Sequence, residues 1–306
     1  VNSSTSPTNG EALVSPELIH RLEPLPLRAR LVVEGFLTGL HRSPYHGFSV
    51  EFAEHRMYQP GDPLRHVDWK VYARTGRYVI KQYQEETNLR AMIVLDASGS
   101  MNFQAGGHAS KWEYGRTVAA AFIYLLLGQR DAVGLTVFDD GPREILPARS
   151  ATTWRSELFA SLEKHQPGGE TDLGKALHRV AEKQGRRGFV ILISDLLYDP
   201  EQVLEGLHHF RHDGHDVLVL QILDPRELDF ALGNEARFVD LEHKERSITA
   251  NPWQIGSVYR EEMEHYLALI QDGCARHNVQ HQLITTDTPV EQALISLLIA
   301  RQRLGG

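Results

Sequence analysis

One cysteine, Cys274, stands among 306 residues, which excludes an internal disulfide framework and a cysteine-rich zinc site. It points to a reducing compartment, and a cytoplasmic location is expected. Long apolar runs are lacking too. The longest, Val118 to Leu127, is about half of the roughly 20 residues that a spanning helix needs, so no direct membrane span is expected. The first ten residues are polar and hold no apolar signal core; residues 1–15 read as a disordered tail or a cloning remnant. Excess positive charge is missing. The formal net charge is −8, which argues against a general nucleic-acid binder, since such a protein carries a basic patch. Catalytic signatures are missing as well: there is no Gly-x-x-x-x-Gly-Lys-Ser/Thr, no Gly-x-Ser-x-Gly and no His-Glu-x-x-His. The expectation is a protein that is not an enzyme.

What is present is ordinary for a globular chain, with 42% hydrophobic and 24% charged residues. The length fits two domains, or one large α/β domain with an appendage. From about Leu27 to Leu40 the apolar residues have helical spacing, whereas Pro24 and Pro26 interrupt the stretch before it. Phe48, Val50 and Phe52 alternate with polar neighbours, as do Val67, Trp69 and Val71, and Thr75-Gly76 makes a turn before Tyr78, Ile80 and Gln82. These alternations predict a small β unit. From Arg90 onward, strands at 91–96, 132–139, 143–148, 188–195, 216–223 and 279–285 alternate with helices at 110–128, 152–165, 172–185, 200–212, 253–276 and 289–303. Ser110-x-x-Glu113 has the form of a capping box for the first of these helices.

Four of the strands are continuous apolar runs, as a parallel sheet covered by helices on both faces requires. The Asp-Asp-Gly-Pro turn at 139–142 makes one strand antiparallel. The predicted fold is α/β, with a tail over 1–15, a helix and small β unit over 16–88, and a sheet domain over 89–306 carrying an inserted hairpin near 236–250.

The run Ile93-Val-Leu-Asp96-Ala-Ser98-Gly-Ser100 ends a buried strand on a carboxylate followed by two hydroxyls. Asp195 ends a second apolar run, and Thr171 follows the Gly168-Gly169 loop at the start of a helix. Open α/β sheets bind ligands outside the carboxyl ends of their strands, so three loops could converge on one point. Asp96, Ser98, Ser100, Thr171 and Asp195 form an all-oxygen set, suited to Mg²⁺ or Mn²⁺ and wrong for zinc. If the hydroxyls bind directly and the aspartates act through water, one coordination position stays open for a partner's carboxylate. In the plainer reading, Ser98 and Ser100 cap the following turn and Asp195 is a helix N-cap.

These five residues resemble the metal-ion-dependent adhesion site of von Willebrand factor A domains, in the usual order along the chain. A second segment, His55-Arg56-Met-Tyr58-x-Pro60-Gly61-Asp62-x-x-Arg65-x-x-Asp68-Trp69-x-x-x-Ala73-Arg74, is similar to the signature of the DUF58 family. That family joins the segment to a von Willebrand A-like domain, and the pattern Thr285-Thr-Asp287-x-Pro289…Leu294…Arg301 extends the likeness toward the C-terminus. Many relatives carry two N-terminal transmembrane helices, so this chain looks like a soluble branch. The resemblance implies a metal-dependent protein-binding module that acts as adaptor to a MoxR-type AAA+ ATPase in a chaperone-like assembly. A Mg²⁺- or Mn²⁺-dependent phosphohydrolase and a structural scaffold with a vacant metal site are the alternatives.

For the signature segment, Arg56, Tyr58, Asp62, Arg65, Asp68, Trp69 and Arg74 form either an ion-pair network with Trp69 wedged against the sheet or a docking surface. Two weaker features read as structural: the cluster Glu205, His208, His209, His212 and His215 as a solvated helix face, and Cys274 as a buried thiol.

Overall fold

The computed structural model describes residues 24–42, 55–57, 69–81, 89–169, 172–183, 187–230, 236–239, 247–250 and 252–304. The first element, α1 (Leu25–Arg42), buries Leu25, Ala29, Val32, Val33 and Phe36, a single face at helical spacing. Pro26 lies inside its first turn, where the missing N–H has no intrahelical partner to lose; the prolines thus mark the helix start. A short strand, β1 (His55–Met57), pairs antiparallel with β2 (Val79–Lys81), and α2 (Trp69–Thr75) lies between them in the chain.

The strand expected around Val67, Trp69 and Val71 is therefore not observed over its described part. Three apolar residues two apart are too short a pattern to fix the period, and Lys70, Ala73 and Arg74 are good helix formers. Tyr72 meets Trp69 edge-on at 6.0 Å and stacks on Tyr78 at 4.3 Å between ring centroids. Trp69 remains 54% exposed, so it is not wedged against the sheet. The expected strand around Phe48, Val50 and Phe52 lies outside the described residues.

The main sheet follows. Its elements in chain order are β3 (Arg90–Asp96), α3 (Lys111–Gly128), β4 (Ala132–Phe138), β5 (Pro142–Arg149), α4 (Trp154–Lys164), α5 (Leu173–Lys183), β6 (Phe189–Ser194), α6 (Pro200–His212), β7 (Asp216–Leu223), α7 (Pro225–Asp229), the hairpin β8 (Ala236–Val239) and β9 (Ser247–Ala250), α8 (Pro252–Arg276), β10 (Gln280–Thr285) and α9 (Glu291–Leu304). The spatial order is β10-β7-β6-β3-β4-β5, parallel throughout except for β5, which runs antiparallel to β4. The inserted hairpin pairs Phe238 with Ile248.

Alternate residues of each central strand feed two cores, one on each face of the sheet. Ile93, Leu95, Ile191, Ile193, Leu218 and Leu220 pack under α1, α3, α4 and α9. Met92, Val94, Val190, Leu192, Val217 and Val219 pack under α5, α6 and α8. The N-terminal helix thus shares the sheet's own core, and Arg28 joins it to α3 by an ion pair with Glu113 at 3.2 Å. Ser110 caps α3 by accepting from the Glu113 N–H at 3.2 Å, while the Glu113 carboxylate turns to Arg28 and to Arg116 at 2.6 Å.

Strand order places the site. Beginning at β3, the chain builds outward through β4 and β5, then returns to β6 on the other side of β3 and builds through β7 to β10. The carboxyl ends of β3 and β6 therefore flank the point where the winding reverses, where such sheets open a crevice. Asp96 is the last residue of β3, and Asp195 follows the last residue of β6.

Candidate metal centre

Asp96 and Asp195 are buried, with 1% and 2% relative exposure, and each is held by protein donors. Asp96 Oδ1 accepts from the Ser98 N–H at 2.8 Å, and its Oδ2 accepts from the Ser194 hydroxyl at 2.6 Å. Asp195 Oδ1 accepts from the Leu197 N–H at 3.1 Å, and its Oδ2 accepts from Lys111 Nζ at 2.7 Å. Burial foremost, and then the charge of Asp195, pushes the Asp96 carboxyl up to about 7 against the opposing bonds from Ser194 and Ser98. A carboxyl held this way is stabilised in its charged form by any cation brought beside it.

The hydroxyls stand next to this pair. Ser98 is buried and Ser100 half-buried, so Ser100 is the part of the loop that reaches toward solvent. Ser98 precedes the 3-10 turn Gly99–Asn102, yet its side chain makes no capping bond. Its Oγ lies 3.0 Å from Ser100 Oγ instead. Asp195 is not a helix cap either, since Asp199 fills that role for α6. Neither Ser98 nor Asp195 is therefore a helix cap.

The left-handed backbone of Leu196, at φ 57°, turns the chain sharply after Asp195. A branched residue adopts that conformation only where its surroundings over-determine it, at a cost of about 1–3 kcal/mol. Here Leu196 is buried, its N–H donates to Ser194 Oγ at 3.0 Å and its carbonyl accepts from the Tyr266 hydroxyl. Gln221 Nε2 donates to the Asp195 carbonyl at 2.9 Å. Strain is thus held in the backbone immediately beside the Asp195 carboxylate.

The loop leading toward Thr171 is laced to the Asp96 loop. Gly168 N–H donates to the Ala97 carbonyl at 3.0 Å and Gly99 N–H donates to the Gly169 carbonyl at 3.2 Å. Arg143 braces the same loop, donating to the Gln166 carbonyl at 2.8 Å and to the Gly168 carbonyl while pairing with Asp139 at 2.6 Å. Gly169 sits at φ 94°, and a Cβ there would come within 3.3 Å of the Asp139 carboxylate. Thr171 itself lies outside the described residues.

Lys111, Glu227 and Ser194 complete the surroundings, and the sequence reading missed all three. Lys111 Nζ bonds Asp195 Oδ2 at 2.7 Å and Glu227 Oε1 at 2.6 Å while fully buried. Burial works against its charge, but Asp195 and Glu227 outweigh this and hold its pKa above the ordinary lysine value. Burial raises Glu227 above the usual carboxylate range, opposed by Lys111. A signal for Lys111 did exist: a lysine opening a helix faces the unfavourable end of the helix dipole and needs a compensating anion.

The donors fit a hard divalent ion. Six oxygens at 2.0–2.1 Å in octahedral array put adjacent ligands about 3.0 Å apart; the Ser98 and Ser100 hydroxyls, hydrogen-bonded to each other at 3.0 Å, are near enough to serve as such neighbours once that bond opens. Among the described residues no three His, Cys, Asp or Glu side chains assemble into a metal-holding group. Of the expected five residues, the structure brings Asp96, Ser98, Ser100 and Asp195 together. Of the signature segment, Tyr58, Asp62, Arg65 and Asp68 lie outside the described residues, and Arg56 belongs to β1. Arg74 and Trp69 are exposed on α2.

Elsewhere the histidine cluster pairs locally. His209 Nδ1 lies 2.9 Å from His178 Nδ1, and His208 packs on His277. Burial pushes the Cys274 thiol up to about 12, which leaves it inert at neutral pH.

Among the described residues no helix is long and apolar enough to cross a membrane. The chain is 29% identical over 217 residues to the uncharacterized protein Rv1480 of Mycobacterium tuberculosis, covering 70% of this chain and 68% of that one. The uncharacterized protein Mb1516 of Mycobacterium bovis matches to the same extent. Among solved structures, BatB from Bacteroides thetaiotaomicron is similar at 19% identity and a TM-score of 0.44, over 70% of this chain and 98% of that one. The von Willebrand factor domain of the type V pili tip protein Mfa5 from Porphyromonas gingivalis is similar at 13% identity and a TM-score of 0.38, over 70% and 95% of the two chains. The model of the family "Protein of unknown function DUF58" matches residues 54–264, more than half the chain, and the chain belongs to that family.

Proposed function

We propose that the protein is a metal-dependent protein-binding module in which a divalent cation, Mg²⁺ or Mn²⁺, at Ser98 and Ser100 takes a carboxylate from a partner. The observation that carries this is the gathering of two buried carboxylates, Asp96 and Asp195, with the Ser98 and Ser100 hydroxyls at the switch point of the sheet. When bound, the cation supplies positive charge and one exchangeable coordination position for an Asp or Glu side chain. Everything else is done by the chain. Ser98 and Ser100 offer direct oxygen ligands, and Thr171 is assigned to the same set. Asp96 and Asp195, held by Ser194, Leu197 and Lys111, orient water toward the ion and balance its charge.

Both oxygens of each aspartate accept a bond from a protein donor, which fixes the two carboxylates in place and leaves a further lone pair on each oxygen for water. The MoxR-type AAA+ ATPase implied by the family resemblance is the partner we propose, in the cytoplasm. The test is capture of that ATPase from native lysate on immobilised protein, with Mg²⁺ or with chelator. Capture with Mg²⁺ that falls at least about tenfold with chelator, and equally with Ser98→Ala, is expected for loss of a shared ionic ligand. Capture unaffected by chelator would overturn the cation's role.

A further inference from the structure

Lys111 is completely buried, and its ammonium is held by Asp195 at 2.7 Å and by Glu227 at 2.6 Å. An ammonium stripped of water keeps its place only with paired anions and satisfied hydrogen bonds. Its position as the first residue of α3 makes the requirement stronger, because the helix end there carries partial positive charge. The Phe103 ring, with its centroid 5.7 Å from Nζ, adds a further favourable contact.

Glu227 is equally fixed. Its other oxygen accepts from the Asp224 N–H at 2.8 Å, closing the capping box of α7. Asp224 in turn accepts from the Ala105 N–H at 3.0 Å and the Arg226 N–H at 2.9 Å. One ammonium therefore joins the Asp195 carboxylate to the start of α7 and, through Asp224, to the loop ahead of α3. Its charge also matters to the site's total. Asp96, Asp195 and Glu227 in their charged forms carry three negative charges and Lys111 one positive, which leaves two for a divalent ion to balance.

We infer that Lys111 is a resident cation of this site: it holds Asp195 and Glu227 together in the absence of metal and, by repulsion, weakens the binding of a divalent ion so that the ion can exchange. The second half rests on the cation-binding reading proposed above; the first does not.

The experiment is calorimetric titration of Mn²⁺ into wild type, Lys111→Met and Glu227→Gln, with melting temperatures recorded in chelator. Removing a unit positive charge within a few ångströms of the ion strengthens binding by about tenfold or more, so Lys111→Met is expected to bind Mn²⁺ at least that much more tightly. In chelator it melts below wild type, and saturating Mn²⁺ closes that gap. Glu227→Gln moves affinity in the opposite direction, weakening it about tenfold, because Lys111 is then neutralised by Asp195 alone. Should Lys111→Met fail to fold, Glu227→Gln decides the matter, and unchanged Mn²⁺ affinity in it overturns the inference.

If wild type binds Mn²⁺ and a folded Lys111→Met binds it no more tightly, the resident-cation inference falls and the cation-binding function stands. If wild type does not bind Mn²⁺, the cation-binding function falls, and with it the weakening of ion binding by Lys111. The holding of Asp195 and Glu227 is then decided by the melting temperatures in chelator, and a Lys111→Met that melts no lower than wild type overturns it.

Discussion

Asp195→Ala is expected to lower the unfolding free energy by about 3 kcal/mol, the scale found when one member of a buried ion pair is removed. The Lys111 side chain is 0% exposed and that of Asp195 3% exposed, so bulk solvent does not screen the charge left behind. Lys111 keeps only Glu227, whose side chain is 11% exposed. The same substitution removes the bond from the Leu197 N–H that helps hold the left-handed turn at Leu196. Urea denaturation in chelator measures the loss. Adding Lys111→Met to Asp195→Ala should cost less than the sum of the two single losses, because the bond they share is lost only once. A loss below about 1 kcal/mol would place the pair on the scale of solvated ion pairs and contradict the burial argument.

Asp96→Asn is expected to abolish two responses at once, to pH and to cation. In the folded protein the Asp96 carboxyl keeps its proton up to about pH 7, against an unfolded value near 3.8. Between those values the folded state binds more protons than the unfolded state, so this group's contribution to stability falls as pH rises. That contribution is fully present below pH 3.8 and gone above about pH 7. In chelator, the wild-type melting temperature should therefore drop relative to Asp96→Asn by about 5 °C across this window.

A divalent ion has the opposite effect, since it favours the ionised carboxylate. At pH 7.5 and a hundredfold excess over Kd, linkage adds about 2.7 kcal/mol to wild type. Asp96→Asn should gain nothing. Parallel pH profiles for the two proteins in chelator, or an equal thermal response to Mg²⁺, would contradict the role given to Asp96.

The sheet was legible because its strands are long. Continuous apolar runs such as Phe189–Ser194 and Asp216–Leu223 have few other solutions than burial on both faces, and the Asp139-to-Pro142 turn announced the antiparallel edge strand. Legibility failed where the signal was short. In Trp69–Thr75 two periodicities compete over seven residues, and pairing among Trp69, Tyr72 and Tyr78 accompanies the helix.

The candidate site divides in the same way. Asp96, Ser98 and Ser100 are adjacent in sequence and carry a spacing that chemistry can read. Lys111 and Glu227 are 116 positions apart and meet only because β7 delivers α7 to the switch point beside the start of α3. Ser194 was visible as the neighbour of Asp195, but its bond to Asp96 spans 98 positions and depends on the pairing of β3 with β6. Pairs of this kind follow from topology and cannot be read from local pattern.

The most direct test of the account is a crystal of the protein grown with Mn²⁺ and measured for anomalous scattering at the manganese edge. The account predicts a single strong peak at the carboxyl ends of β3 and β6, about 2.2 Å from both Ser98 Oγ and Ser100 Oγ. A crystal saturated with Mn²⁺ that shows no peak there, with the two hydroxyls still bonded to each other, would contradict it.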